Sequence, residues 1–179
     1  MRVFVTGTGR CGTVSFSVAC KFADNYTVGH ESRNGLLCYP DNHIEVSAHM
    51  RCCISHLALK YPDAKWVHLV RAPEPCIKSL SNLDDGLVMR AYETLYETVC
   101  PGRNPSDIAY RYYWSEKDSI DAQLEARVSN DRRITMQLES IKDEWHRFWD
   151  WAGLSGDFAA SLASWDVPHN TTEQRTKGS

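Results

Sequence analysis

The chain has 179 residues, of which 42% are hydrophobic and 24% charged, and its formal net charge is −3. This composition excludes a disordered or fibrous chain, and the length fits one domain, since domains cluster near about 100–150 residues. We therefore predict a single domain over residues 1–168 and a loosely ordered C-terminal tail over residues 169–179. The small negative charge gives no general attraction to nucleic acid or to anionic membranes, so neither is an expected partner and any phosphate contact must be local.

The N-terminal segment and the cysteines indicate the cellular compartment. The apolar run that ends at Val5 is too short for a signal peptide, and no later segment approaches a membrane span, so we expect a cytoplasmic protein. An odd number of cysteines without framework spacing predicts reduced thiols, most of them buried. A zinc site at Cys52, Cys53 and His56 is disfavoured against an ordinary helix face, because a second ligand pair is missing. The cysteines are Cys11, Cys20, Cys38, Cys52, Cys53, Cys76 and Cys100.

The first half of the chain alternates predicted strands with predicted helices. A short strand at residues 3–5 leads into a glycine-rich turn, after which Val14, Val18 and Phe22 repeat at helical spacing. The clearest strand runs from Trp66 to Val70 and ends at Arg71. Two more strands are predicted at residues 26–28 and 44–46, and a helix at residues 54–61.

The second half is mainly helical. Apolar residues at helical spacing predict one helix over residues 108–124 and another over residues 138–152, the latter ended by Gly153. Residues 133–136 between them form one more candidate strand. Strands that alternate with helices predict a three-layer α/β fold with a central parallel sheet and helices on both faces. In such folds ligands bind beyond the carboxyl ends of the strands.

A glycine-rich loop lies between the first strand and the first helix, where backbone N–H groups and a helix N-terminus can converge on one phosphate. Compared with the Walker A pattern, Thr13 replaces the lysine and Val14 replaces the magnesium-binding hydroxyl, while a cation, Arg10, lies inside the loop. The alternative is a glycine-rich turn that only packs tightly. The candidate phosphate-binding residues are Gly7, Thr8, Gly9, Arg10, Cys11, Gly12, Thr13 and Val14.

Two motifs in the first half resemble a known family. Residues 6–13 resemble the 5′-phosphosulfate loop of sulfotransferases that use 3′-phosphoadenosine 5′-phosphosulfate (PAPS), which have a P-loop fold. The segment from Lys65 to Pro73, followed by Ser79, resembles the 3′-phosphate motif of that family, in which a strand ends in arginine and a serine follows eight residues later. The resemblance implies PAPS as the donor, 3′-phosphoadenosine 5′-phosphate (PAP) as the product, and no metal.

Physical chemistry supports the second motif independently. Arg71 at the end of a central strand offers a planar fork of donors to a phosphate. Pro73 and Pro75 suit the start of a helix that carries Ser79 within its first two turns. An ordinary ion pair at Arg71 and a surface position for Ser79 are the alternatives. The motif and the glycine-rich loop occur together, which favours a binding role.

A third segment, residues 29–33, resembles the part of protein-tyrosine sulfotransferases that carries the catalytic glutamate. The resemblance implies that Glu31 is the general base. His30 is the competing candidate, because cytosolic sulfotransferases use a histidine from another part of their sequence. A surface pair of Glu31 with Arg33 is the ordinary alternative.

Together these similarities imply a PAPS-dependent sulfotransferase that moves a sulfuryl group to an acceptor hydroxyl or amine on a small molecule, carbohydrate or peptide. Arg10 would stabilise the leaving phosphate, while Arg71 and Ser79 would anchor the donor. The chain departs from the family at Val14, which lacks a hydroxyl, and at Ala72, which replaces an acidic residue. The alternatives are a P-loop small-molecule kinase that uses ATP and magnesium, and a non-catalytic nucleotide-binding descendant of this fold.

The acceptor region is predicted to involve residues 37–43 and 82–113. Several aromatic residues in and beside this region could line an acceptor cleft, although aromatic residues at helical spacing more often belong to the core. They are Tyr92, Tyr96, Tyr110, Tyr112, Tyr113 and Trp114. The sequence indicates neither the acceptor nor the oligomeric state.

Overall fold

The computed structural model describes residues 1–32, 37–82, 87–99, 104–167 and 169. Within these residues, five parallel strands form one sheet in the order β2-β3-β1-β4-β5. The strands are β1 (Arg2–Thr6), β2 (Thr27–His30), β3 (His43–Val46), β4 (Lys65–Val70) and β5 (Arg133–Gln137). The helices are α1 (Thr13–Cys20), α2 (Ile54–Lys60), α3 (Pro73–Ser81), α4 (Leu87–Val99), α5 (Pro105–Arg127), α6 (Ile141–Ala152) and α7 (Phe158–Ala163).

Alternate residues of the central strands build two hydrophobic cores, one on each face of the sheet. Val5 of β1 and Leu69 of β4 belong to the core that α1 and α6 cover. Phe4 and Trp66 belong to the core that α2 and α5 cover, and their ring centroids lie 4.9 Å apart. Because successive side chains of a strand point to opposite faces, strands covered on both faces need apolar residues at nearly every position. The predicted α/β fold with helices on both faces is confirmed.

The predicted strands and the predicted helices are present, with shifted ends. β2 begins at Thr27, whose N–H bonds to the Asn42 carbonyl, and continues to His30. The helix predicted from residue 138 opens with a single 3₁₀ turn at Leu138–Ser140, and α6 ends at Gly153 with a left-handed φ of 74°. α5 extends further in both directions than predicted and reaches 23 residues.

Two helices were not predicted. α4 falls in the segment that we assigned to acceptor binding, and α7 is only six residues long. α7 has a readable start signal, because the Asp157 carboxylate accepts a hydrogen bond from the Ala160 N–H. Of the predicted tail only His169 lies within the described residues, so the prediction for 170–179 falls outside them.

The cysteines of the described chain are free thiols, but they divide between core and surface. Cys11, Cys20 and Cys76 are buried, whereas Cys38 and Cys52 are exposed. In the same described part, no group of three or more His, Cys, Asp or Glu side chains is arranged to hold a metal ion, the Cys52 neighbourhood included. None of the described helices is both long enough and apolar enough to cross a lipid bilayer.

A buried histidine in β4 connects the sheet to α5. The Nδ1 atom of His68 lies 2.7 Å from Oδ1 of Asp121. Burial lowers the pKa of His68, although the carboxylate of Asp121 acts in the opposite direction. Because the pKa in the folded protein lies below the unfolded value of 6.5, the unfolded chain takes up a proton first. The contribution of His68 to stability is therefore fully present above pH 6.5, and it is lost as the pH falls from 6.5 through the folded pKa.

We expect the free energy of unfolding to decrease as the pH is lowered from 6.5. His68 should contribute at most about 1.4 kcal/mol per pH unit to that decrease. Urea unfolding between about pH 7 and pH 5 measures it. His68→Gln removes that part of the slope, whereas His146→Gln, a change at an exposed position of α6, leaves the wild-type slope. Equal slopes in wild type and His68→Gln would contradict the assignment.

Candidate functional site

The glycine-rich loop connects the end of β1 to the start of α1. Gly9, Arg10 and Gly12 adopt left-handed φ angles of 82°, 54° and 92°. Gly12 is the N-cap of α1 and offers no side-chain oxygen, so the first-turn N–H groups of α1 receive no cap from it. A left-handed turn before an open helix N-terminus is a geometry that binds anions through backbone N–H groups.

Three neighbouring elements hold the loop through consecutive carbonyl groups. The Tyr112 hydroxyl of α5 donates to the Thr8 carbonyl at 2.7 Å. The Cys76 thiol of α3 donates to the Gly9 carbonyl at 3.5 Å, and the guanidinium of Arg71 donates to the Arg10 carbonyl at 3.1 Å. Hydrogen bonds to three consecutive carbonyl groups fix the shape of the loop. Because these bonds use carbonyl oxygens, they leave the N–H groups of the loop for a ligand.

The two predicted phosphate motifs meet in space. Arg71 follows β4, and its guanidinium contacts the loop at Arg10. The Nε of Arg10 donates to the Ser79 hydroxyl of α3 at 2.9 Å. The structure thus gathers two guanidinium groups and one hydroxyl between the loop and α3. Arg10, expected to face the leaving phosphate, is directed toward Ser79 and therefore toward the predicted 3′-phosphate position.

A carboxylate from another part of the chain occupies the corner after β4. Oε1 of Glu139 accepts a hydrogen bond from the Ala72 N–H at 3.0 Å. Ala72 is the position where the resembling family commonly has an acidic residue. Glu139 lies in the 3₁₀ turn before α6, so sequence position gave no sign of this contact.

The predicted catalytic segment lies at the carboxyl end of β2. Glu31 has a left-handed φ of 52°, and its N–H donates to the Val46 carbonyl at 3.1 Å. Oε1 of Glu31 lies 3.7 Å from Nε2 of His49, and both side chains are partly exposed. His30 points elsewhere: its Nε2 lies 3.3 Å from the Thr13 hydroxyl, at the start of α1. The alternative partner Arg33 lies outside the described residues.

His49 is a candidate that the sequence reasoning missed. It lies in a 3₁₀ turn, Ala48–Cys52, directly after β3. The carboxyl end of β3 shares one edge of the sheet with the ends of β1, β2 and β4. A histidine three residues beyond a strand end was therefore a readable signal, because ligands of open α/β sheets bind at that edge.

The thiol and phenol groups around the loop remain neutral at physiological pH. Burial raises the pKa of Cys11 to about 12, and it also raises the pKa of Tyr112 to about 12. Burial raises the pKa of Cys76 as well. A protonated thiol is not a nucleophile, so Cys11 and Cys76 are packing and hydrogen-bonding groups here. Neutral neighbours also add no negative charge that would repel a phosphate.

The aromatic residues that we considered for an acceptor cleft divide by exposure. Tyr112 and Tyr113 are buried and belong to the core, where Tyr113 donates to the Arg71 carbonyl at 2.7 Å. Tyr110 and Trp114 are exposed on α5. Tyr92 of α4 packs edge-on against Tyr112, with ring centroids 4.8 Å apart. The preference for a core role is thus correct for the two buried tyrosines.

The site as a whole combines cations with a possible proton acceptor. The helix N-terminus, two guanidinium groups and the Ser79 hydroxyl suit anionic groups of a nucleotide. Glu31, with His49 at 3.7 Å, supplies a carboxylate at the same edge of the sheet. Such a set of groups can bind a doubly phosphorylated ligand and accept a proton from a hydroxyl or amine.

Comparisons with known proteins agree with the fold. No family model matches the chain, and no curated protein matches it in sequence. A solved structure of a mouse sulfotransferase, SULT7A1 complexed with PAP, matches it with a TM-score of 0.50 and 12% sequence identity. The match covers 98% of this chain but 62% of that chain, so the present sequence spans less than two thirds of its length. The chain therefore has the α/β fold of a sulfotransferase.

Proposed function

We propose that the protein is a PAPS-dependent sulfotransferase that moves a sulfuryl group to an acceptor hydroxyl or amine. The observation that carries the proposal is the meeting of Arg10, Arg71 and Ser79 beside the open N-terminus of α1. A nucleotide with phosphates at both the 3′ and the 5′ position requires two anion sites close together. ATP offers no 3′-phosphate to the second of these sites.

The first-turn N–H groups of α1 bind the 5′-phosphate in this proposal, and Arg10, which is directed toward Ser79, adds its positive charge at the 3′-phosphate. When bound, PAPS supplies the sulfuryl group, which passes to the acceptor oxygen or nitrogen as its bond to the 5′-phosphate breaks. Fixed N–H dipoles stabilise the negative charge that develops on the leaving 5′-phosphate without reorganisation. Arg71 and Ser79 hold the 3′-phosphate. Val14 contributes its backbone only.

Glu31 takes the proton from the acceptor. It is favoured over His30 because the ring of His30 is engaged with Thr13, whereas the carboxylate of Glu31 is partly exposed at the sheet edge. His49 lies beside that carboxylate, with its Nε2 3.7 Å from Oε1 of Glu31. A base within hydrogen-bonding reach of the acceptor contributes about 10²–10⁴-fold to such a reaction. The acceptor belongs to a small molecule, a carbohydrate or a peptide.

Calorimetric titration of the wild-type protein with PAP, and separately with ATP and magnesium, tests the donor. We expect PAP to bind with unchanged affinity in the presence of a chelator, because guanidinium and N–H groups bind its phosphates directly. ATP should bind more weakly, since it leaves Arg71 and Ser79 without a phosphate. Tight binding of ATP with magnesium, combined with no binding of PAP, would exclude this function and favour a kinase.

A further inference from the structure

A fully buried carboxylate lies directly beneath the turn that carries Glu31. Glu45 of β3 accepts hydrogen bonds from the Ser32 N–H at 2.8 Å and from the Ser32 hydroxyl at 2.6 Å. On its other side, Oε2 of Glu45 lies 2.9 Å from Nε2 of His43. The Nδ1 of His43 lies in turn 2.8 Å from the Thr27 hydroxyl. Four polar side chains thus form one chain of contacts across β2 and β3.

The charge of Glu45 is maintained by these contacts. Burial alone would raise its pKa, but the hydrogen bonds from His43 and Ser32 outweigh burial and lower it below the ordinary value. Glu45 is therefore ionised at neutral pH. A buried charge is costly to desolvate, and apolar side chains of similar volume often stabilise a protein as well or better. Plain stability thus gives little reason for a carboxylate at this position.

The neighbouring strand makes room for the carboxylate. Gly29 of β2 is paired with Glu45 in the sheet register. A Cβ atom at Gly29 would lie 2.4 Å from Oε2 of Glu45 and 2.4 Å from the Ser32 hydroxyl. Glycine weakens a strand interior, and here it allows the close approach of Glu45 and Ser32.

The network continues into the candidate base. Ser32 directly follows Glu31, whose left-handed φ of 52° is uncommon for a residue other than glycine and strains the backbone. Such a conformation persists only where the surroundings fix it. The Val46 carbonyl holds the N–H of Glu31, and Glu45 holds both polar groups of Ser32. The turn is thus fixed on both sides of the Glu31 side chain.

We propose that Glu45 is a positioning residue: through Ser32 it fixes the left-handed turn that directs Glu31 toward His49. This inference rests on the proposed role of Glu31 as base. We therefore expect Glu45 to affect the rate of transfer but not donor binding. Its contacts described above involve neither the glycine-rich loop nor Arg71.

The test compares Ser32→Ala, Glu45→Ala and Glu45→Gln with the wild type. NMR signals of the His49 ring report whether Glu31 still lies beside it, and Glu31→Gln supplies the reference change. We expect Ser32→Ala and Glu45→Ala to shift the His49 signals as Glu31→Gln does, and to lower kcat by about tenfold with the PAP dissociation constant unchanged. Glu45→Gln keeps an oxygen acceptor for Ser32 and should recover part of kcat.

Ser161→Ala is the matched control, because this buried hydroxyl accepts from Trp145 and donates to the Ala19 carbonyl, away from the Glu31 turn. It should lower stability without changing kcat or the His49 signals. Should Glu45→Ala fail to fold, Ser32→Ala alone carries the test. Unchanged His49 signals, or shifted signals with unchanged kcat, would overturn the inference. Wild-type protein that does not bind PAP would overturn the proposed function instead, even with shifted signals.

Discussion

The Glu31→Gln variant is expected to lose sulfuryl transfer by about 10²–10⁴-fold in kcat while it binds PAP like the wild type. Glutamine has nearly the same shape as glutamate but cannot accept the proton that the acceptor must lose. The measurement is sulfate transfer from PAPS under saturating donor, combined with PAP titration of the same preparation. An effect confined to kcat identifies a group that acts in the transition state rather than in donor binding.

His30→Gln is the matched control for this prediction. It removes the neighbouring titratable side chain and with it the contact to the Thr13 hydroxyl at 3.3 Å. We expect a modest change in donor affinity, because Thr13 opens α1, and little change in kcat. The reverse pattern, with kcat lost in His30→Gln and kept in Glu31→Gln, would transfer the role of base to His30.

Arg71→Ala is expected to weaken PAP binding by about 100-fold. Two hydrogen bonds to a charged phosphate contribute about 1.5–3 kcal/mol each, and about 3 kcal/mol corresponds to roughly this factor. Adenosine 5′-phosphate, which lacks the 3′-phosphate, should bind wild type and variant with similar affinity. Titration with both nucleotides therefore separates loss of the 3′ contact from general damage.

Ser79→Ala removes one hydroxyl from the same cluster and should weaken PAP binding by about tenfold. Arg147→Ala changes an exposed arginine of α6 and serves as the control for charge. A contrary result would be that Arg71→Ala weakens the binding of adenosine 5′-phosphate as much as the binding of PAP. That result would show that the weaker binding does not come from loss of the 3′-phosphate contact. In that case the contact of Arg71 with the Arg10 carbonyl, and hence the shape of the loop, would be responsible.

Much of the fold could be predicted because the strands of this sheet carry strong signals. β1 and β4 are mainly apolar, as strands covered on both faces are, although His68 interrupts the apolar run of β4. α5 shows the predicted helical repeat of buried residues. In α1 the helix is correct but the face is not: Phe16 and Cys20 are buried, whereas Val14 and Val18 are only half-buried and Phe22, just past the helix, is exposed. α4 was missed because it lies in a segment that we assigned to acceptor binding.

The site could be predicted where local sequence decides the geometry. The glycines of the loop and the arginine at the end of β4 are features of single segments, so their spacing was informative. Contacts between distant segments were not accessible in this way. Glu45 appeared as one residue of a strand, and its role depends on Ser32, thirteen residues earlier. His49 meets Glu31 only because β2 and β3 are neighbours in the sheet.

The two adjacent tyrosines of α5 have a consequence for biosynthesis. Tyr112 bonds to a carbonyl 104 residues earlier in the chain, and Tyr113 bonds to one 42 residues earlier. The glycine-rich loop and the segment that ends at Arg71 are thus synthesised well before α5, the helix whose tyrosines hold their backbone. Contacts of such long sequence separation form late, because a large loop must close first. During translation, nucleotide binding should therefore begin only once α5 has emerged and packed, and a nascent chain that ends before Pro105 would display both motifs without binding PAP.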